Sequence, residues 1–368
     1  MQSVYDKIAT ATQGLTATYS KALNQISNQN AVTICDYISA MGAETNLSDN
    51  YRKAVIMTLS AFSRFSKDIR FKVMSRDNVL SYLGSLRKDE DIDPLHKSIG
   101  TYNYYNVILT RFFKWLYHPN MPTKARPKPA VVENIAQLKR REVSIYGPPD
   151  LWTEQDDLLF LKYCPSKRTK CYHTVARDSS ARPHEILKLK IGDVNFKTSN
   201  SYQYAETTLP SGKTGTRPVP LINSIPFVND YLDHEHPQST NRNAPFICGI
   251  GRSLGKHLRS SSLSNLYSIY KTEYFPKLLD NPNIPPEDKE YIKKLLIKPW
   301  NPYIRRHTAL SEKAKNPKIN HILNQHAGWV QDSRMRQKYI HWLANVSNES
   351  ILEAYGIVPS EKRNVQNF

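Results

Sequence analysis

The feature that most limits what this chain can become is the stretch from His118 to Asp150, where Pro119, Pro122, Pro127, Pro129, Pro148 and Pro149 interrupt any long helix or strand. The material on either side must therefore organise its own elements. A chain of 368 residues also exceeds what one core usually organises, so two domains joined by a linker over 121–150 are expected. The linker carries Lys124, Arg126, Lys128, Lys139, Arg140 and Arg141. Two readings of these charges stand open: they keep the connector solvated, or they lie across a phosphate backbone.

Before the linker, residues 1–120 read as helices separated by polar breaks, with no alternation of the strand type. From Thr101 to Tyr117, the residues Tyr105, Ile108, Leu109, Phe112, Phe113 and Leu116 fall on one helical face. A second helix starts near Ser48 and Asp49 and carries Val55, Leu59 and Phe62; a third starts at Ser75 and carries Val79, Tyr82 and Leu83. After the linker, Thr153 with Asp156 three positions on opens a capped helix and a domain over 151–346. Further helices follow, interrupted by one hairpin in which Tyr202–Leu209 and Arg217–Leu221 flank PSGKTGT. Pro218 and Pro220 put its second strand at a sheet edge. The expected fold is mainly α with a small β-sheet: an all-helical first domain, then an α+β domain.

Composition narrows the partners. Lys and Arg number 51 against 33 Asp and Glu, a formal charge of +18. Such a surplus favours a polyanion, because each phosphate neutralised by Lys or Arg releases condensed counterions. The four cysteines form no disulfide framework, which points to reduced thiols and an intracellular, cytoplasmic location. Cys164, Cys171 and His173 match no common zinc spacing and have no fourth ligand nearby, so no metal is expected. Neither a signal peptide nor an apolar run of about 18 residues is found.

Four stretches of the second domain carry chemistry together that none carries alone. In ARPHEILKLKIGDV, Pro183 suits a first helical turn, so Arg182 stands at the helix start with Glu185 about one turn on. Lys213 falls at the tip of the hairpin, where a lysine beside a phosphate can protonate a departing oxygen. In NPYIRRHTALSEKA, Arg306 can join Arg182 in gripping the non-bridging oxygens of one phosphate. In HAGWVQDSRMRQKYIHW, a helix capped by Asp332 or Ser333 places Met335, Tyr339 and Trp342 on one face. Each has a plainer reading as surface ion pair, turn lysine, backbone-binding basic run or core tyrosine.

Taken in order, these stretches resemble the active-site boxes of the tyrosine recombinase and integrase family: Arg182 with Glu185, Lys213, Arg306–His307–Thr308, Gly328–Trp329, and Tyr339. The resemblance covers nearly the whole chain. The run of RHT, GW, SRM and YIH is most similar to integrases of archaeal chromosomes, plasmids and viruses. Two positions depart from the pattern. Tyr303 stands where the family has a His, and a phenol is a poor proton shuttle near neutral pH. Trp329 replaces a later His, although its indole N–H can still donate to a phosphate oxygen. His326, close by, is better read as a capping or packing residue.

The resemblance implies a helical core-binding (SAM-like) domain over 1–120 and a catalytic domain over 151–346, closing on duplex DNA as a C-shaped clamp. It implies attack by Tyr339 on the scissile phosphate to give a 3′-phosphotyrosine and a free 5′ hydroxyl, with no metal, ATP or other cofactor. Arg182 and Arg306 would stabilise the transition state, Lys213 would be general acid, Trp329 would position the phosphate and Tyr303 would be auxiliary. Four cuts on two duplexes imply a homotetramer assembled on DNA, with residues 347–368 docking on a neighbouring protomer or packing on their own chain. Rival readings are a type IB topoisomerase, which shares the chemistry, and a DNA-binding protein that has lost catalysis.

Overall fold

The computed structural model describes residues 3–94, 96–139, 146–212 and 215–341, so Lys213 and the 347–368 segment lie outside the described residues. The chain divides into two compact units, Met1–Ile145 and Tyr146–Phe368. Each has its own core.

The first unit is helical: α1 (Val4–Ala11), α2 (Ala17–Asn24), α3 (Asn28–Glu44), α4 (Asp49–Phe65), α5 (Arg76–Ser85) and α6 (Ser98–Tyr117). The starts of α4 and α5 follow from their caps, since Ser48 accepts from the Tyr51 amide at 3.3 Å and Ser75 forms a reciprocal capping box with Asn78. Such a cap is worth about 1 kcal/mol. The apolar face of α6 buries Ile108, Leu109, Phe112 and Phe113 against Tyr37 of α3, Phe62 of α4 and Phe71.

The segment read as a linker is, in its first part, folded onto this unit. Val131, Val132 and Ile135 join the helical core, and Asn103 holds Leu138 by two bonds of 2.8 and 2.9 Å. Arg126 is buried: its Nε donates to the His118 carbonyl at 3.0 Å and its guanidinium pairs with Glu44. Of the two readings of the linker charges, neither fits Arg126, whose charge is spent inside the fold. Lys124 and Lys128 are exposed.

The second unit opens with α7 (Glu154–Tyr163), whose start is fixed by the reciprocal box of Thr153 and Asp156 at 2.6 and 3.2 Å. There follow α8 (Lys167–Ser179), α9 (Pro183–Ile186), and the strands β1 (Val194–Ser199), β2 (Tyr202–Gly212) and β3 (Gly215–Leu221) in a three-stranded antiparallel sheet of order β1-β2-β3. β3 is an edge, which accommodates Pro218 and Pro220 without loss of a central ladder bond. Helices α10 (Ile225–His234), α11 (Ser260–Ile269), α12 (Phe275–Asp280), α13 (Pro286–Ile297), α14 (Pro302–Lys315), α15 (Pro317–Asn320), α16 (Leu323–Ala327) and α17 (Met335–His341) complete the unit. An aromatic cluster of Trp152, Phe160, Tyr267, Phe275 and Trp300 fills its centre. A mainly helical chain with one small sheet, as the sequence leads one to expect, is what is found. No helix of the described residues is long and apolar enough to cross a membrane.

Candidate active site

The site is assembled from helix ends. At the close of α8, Ser180 takes a left-handed conformation (φ 50°) that turns the chain, and Arg182 then stands extended at the start of α9 with Pro183 in the first turn. Glu185 reaches back to the Arg182 amide at 2.7 Å and accepts from the Arg182 guanidinium at 3.0 Å. Its second cationic partner is Arg217 of β3, which donates to Glu185 at 2.8 Å and to the His326 carbonyl at 2.9 Å. Glu185 is only 1% exposed. Burial works to raise its pKa, but the bonds from Arg217 and the Arg182 backbone outweigh it and bring the carboxyl down to about 2.

Gly328 fits against the same guanidinium. Its backbone is left-handed (φ +66°), and a Cβ there would collide with Arg217. That close approach sets the turn from which Trp329 projects.

The start of α14 is fixed by Asn301, whose side chain accepts from the amides of Tyr303 and Ile304 at 2.9 and 3.0 Å, with Pro302 behind it. Because successive helical residues point about 100° apart, the adjacent Arg305, Arg306 and His307 take three different tasks. Arg305 is wholly buried and binds Asp157 of α7 at 2.6 Å, while Asp157 also holds His173 at 3.0 Å. Arg306 donates to the Ser180 carbonyl at 2.6 Å and the Ala327 carbonyl at 2.7 Å, and lies over the Trp329 ring at 5.7 Å. Burial, and then the Arg182 charge beside it, lower its pKa to about 10. Two guanidinium groups this near each other can together bind an anion.

Tyr339 of α17 is 3% exposed and lies between two rings, Trp329 at 5.5 Å and His307 at 5.9 Å, each inclined by 23°. Its hydroxyl meets His307 Nδ1 at 2.9 Å. Burial raises its pKa to about 12, against the pull of Arg306 and Arg182 and with the push of Tyr303. Tyr303 is 41% exposed and sets its ring 5.8 Å from that of His307.

Of the residues the sequence singled out, Arg182, Arg306, Trp329, Tyr339 and Tyr303 thus share one neighbourhood, bounded by Glu185 and Gly328. Lys213 and Trp342 lie outside the described residues. The expected helix around Tyr339 begins at Met335, after Ser333 accepts from the Met335 amide at 3.2 Å. The His326 carbonyl accepts from Arg217, and burial drives its imidazole down to about 3, a packed neutral ring. Sequence reasoning missed Arg217 and the His307 contact with Tyr339. A signal for the first existed: Arg217, Val219 and Leu221 alternate onto one face of β3, and an Arg on a core face needs a buried acid.

No protein-family model matches the sequence, and no curated protein matches it. Solved structures do match. The XerH site-specific recombinase bound to a palindromic difH substrate is similar with a TM-score of 0.54 at 14% identity, over 96% of this chain and 94% of that one. A lambda integrase dimer bound to a COC′ core site is similar with a TM-score of 0.55 at 10% identity, over 89% of this chain and 81% of that one. The Tn1549 transposon integrase in complex with transposon right-end DNA is similar with a TM-score of 0.53 at 11% identity, over 88% and 99%. The chain therefore has the fold of the tyrosine recombinases, a helical unit of the core-binding kind followed by one of the catalytic kind.

Proposed function

We propose that this protein is a site-specific DNA recombinase of the integrase type, which cleaves and rejoins strands through a 3′-phosphotyrosine on Tyr339. The single observation that carries the reading is the gathering of Arg182, Arg306 and Tyr339, far apart in sequence, in one neighbourhood beside Trp329.

The scissile phosphate is placed against the two guanidinium groups. Arg182 and Arg306 hold its non-bridging oxygens, and their desolvated charges become most favourable when the phosphorus is pentavalent and carries extra negative charge. Glu185 and Arg217 lock Arg182 from behind, while the Ser180 and Ala327 carbonyls lock Arg306. Trp329 lends its indole N–H, Tyr303 a phenol at the mouth of the site, and Lys213 the proton for the departing 5′ oxygen. No water is consumed, so the phosphodiester energy stays in the protein–DNA bond and a second 5′ hydroxyl reverses the step without ATP or metal.

Duplex DNA is the proposed substrate, with Met1–Ile145 as the core-binding unit and Tyr146–Phe368 as the catalytic one. The working form is a homotetramer on DNA. The solved relatives include a lambda integrase tetramer bound to a Holliday junction, which supports that assembly. The branch proposed is that of archaeal and mobile-element integrases, on the run of RHT, GW, SRM and YIH, with a cytoplasmic, nucleoid-associated location.

A nicked duplex whose short 5′ fragment diffuses away tests the reading. The wild-type protein is expected to be trapped as a covalent adduct that survives denaturing electrophoresis. Tyr339→Phe should bind the same duplex and give none. Strand exchange between two sites, without relaxation of supercoils by the monomer, separates a recombinase from a topoisomerase. A wild-type protein that binds but forms no adduct contradicts the proposal.

A further inference from the structure

A buried phenol whose pKa is pushed up to about 12 is a poor nucleophile near neutral pH, because almost none of it is phenolate there. Arg306 and Arg182 help, yet burial outweighs them. The hydroxyl proton needs an acceptor at the moment of attack. Guanidinium and indole groups only donate, which removes Arg182, Arg306 and Trp329 from consideration. Tyr303 offers another phenol, and its ring lies against His307.

His307 has the right atom in the right place. Its Nδ1 is 2.9 Å from the Tyr339 oxygen, and its ring is hemmed by Tyr146 at 5.5 Å, Tyr303 at 5.8 Å and Tyr339 at 5.9 Å. Tyr146 is in turn tied to the N-cap of α14 by a 2.7 Å bond from Asn301, so the imidazole is steadied from the same helix that carries it.

We infer that His307 is the general base that accepts the Tyr339 proton during strand cleavage. The inference rests on the recombinase reading above. In the step, the Tyr339 oxygen forms a bond to phosphorus while its proton passes to His307 Nδ1. The bond from phosphorus to the 5′ oxygen breaks, and that oxygen takes a proton from the general acid. This needs a neutral imidazole with its hydrogen on Nε2. Rejoining runs the same path backwards: the imidazolium returns the proton to the phenolic oxygen as an incoming 5′ hydroxyl displaces it. Among the described residues, the charged and titratable groups around the exchange include Tyr339 of α17, Tyr303 and Arg306 of α14, Tyr146, and Arg182 at the start of α9.

The test is the rate of adduct formation on the nicked duplex in a single turnover, followed across pH. His307→Ala and His307→Asn are compared with wild type, after each is shown to bind the duplex as Tyr339→Phe does. Asn keeps an oxygen that can accept a hydrogen bond from Tyr339 and takes no proton. Both variants are expected to lose about 100-fold or more near neutral pH. The wild-type rate should fall on the acid side, where an imidazole becomes protonated, whereas the variants should climb steadily with pH, and added imidazole should restore part of the His307→Ala rate. A His307→Ala rate within about threefold of wild type overturns the inference. So does a wild-type rate in His307→Asn, which would make His307 a positioning residue. Should the wild-type protein itself give no adduct, the recombinase reading fails first and the base falls with it.

Discussion

Glu185 is almost wholly out of solvent and still ionised, because Arg182 and Arg217 bind it from two sides. Its folded pKa of about 2 lies below the ordinary 4.5, so the stability it contributes is present above that ordinary value and disappears as pH falls through about 2. The difference corresponds to about 3 kcal/mol. Thermal unfolding followed by circular dichroism should show the wild-type melting temperature dropping between pH 4.5 and 2. Glu185→Gln should already be lower at neutral pH and change less over that interval; parallel acid limbs in the two proteins contradict the assignment. At this scale the sequence was partly legible. Arg182, Glu185, Arg306 and Tyr339 stand out because their residue types and spacing suit phosphate chemistry. The partner of Glu185 did not, since Arg217 is 32 positions away and only pairing of β2 with β3 brings it in.

Elements were legible where local chemistry fixes them. The apolar stripe of α6, the capping boxes of α5 and α7 and the glycine-flanked hairpin all have short-range causes. β1 was missed because Val194 is its one buried side chain, so it lacks the alternation by which a half-buried strand is recognised. The first part of the linker was misjudged for a related reason. Proline forbids long regular structure but does not prevent Val131, Val132 and Ile135 from packing as a short irregular segment. The turn between α16 and α17 shows the converse, an irregular piece on which the site depends. Gly328→Ala would meet both the left-handed backbone and the Arg217 guanidinium. A loss of roughly 1–2 kcal/mol in stability is expected from the backbone alone. Adduct formation should fall well beyond that, because Arg217 must shift away from Glu185 and Trp329 from Arg306. A Gly328→Ala protein with wild-type stability and adduct yield would show that the close approach has no function.

The whole molecule is two units with separate cores, the second built around Trp152, Phe160 and Trp300 and carrying every described residue of the candidate site. The net charge of +18 gives the chain a long-range attraction for a polyanion, and the fold resembles that of recombinases solved on DNA. Charge and fold alone fit a passive DNA-binding protein equally well; what separates the two is whether a phosphorus–oxygen bond forms on this chain. The direct measurement is to trap the protein on nicked fragments of the DNA flanking its gene, digest the product with protease and nuclease, and locate the retained nucleotide by mass spectrometry. The added mass is expected on the peptide containing Tyr339, at the phenolic oxygen. A nucleotide on any other side chain, or none on any substrate that the protein cleaves, contradicts it.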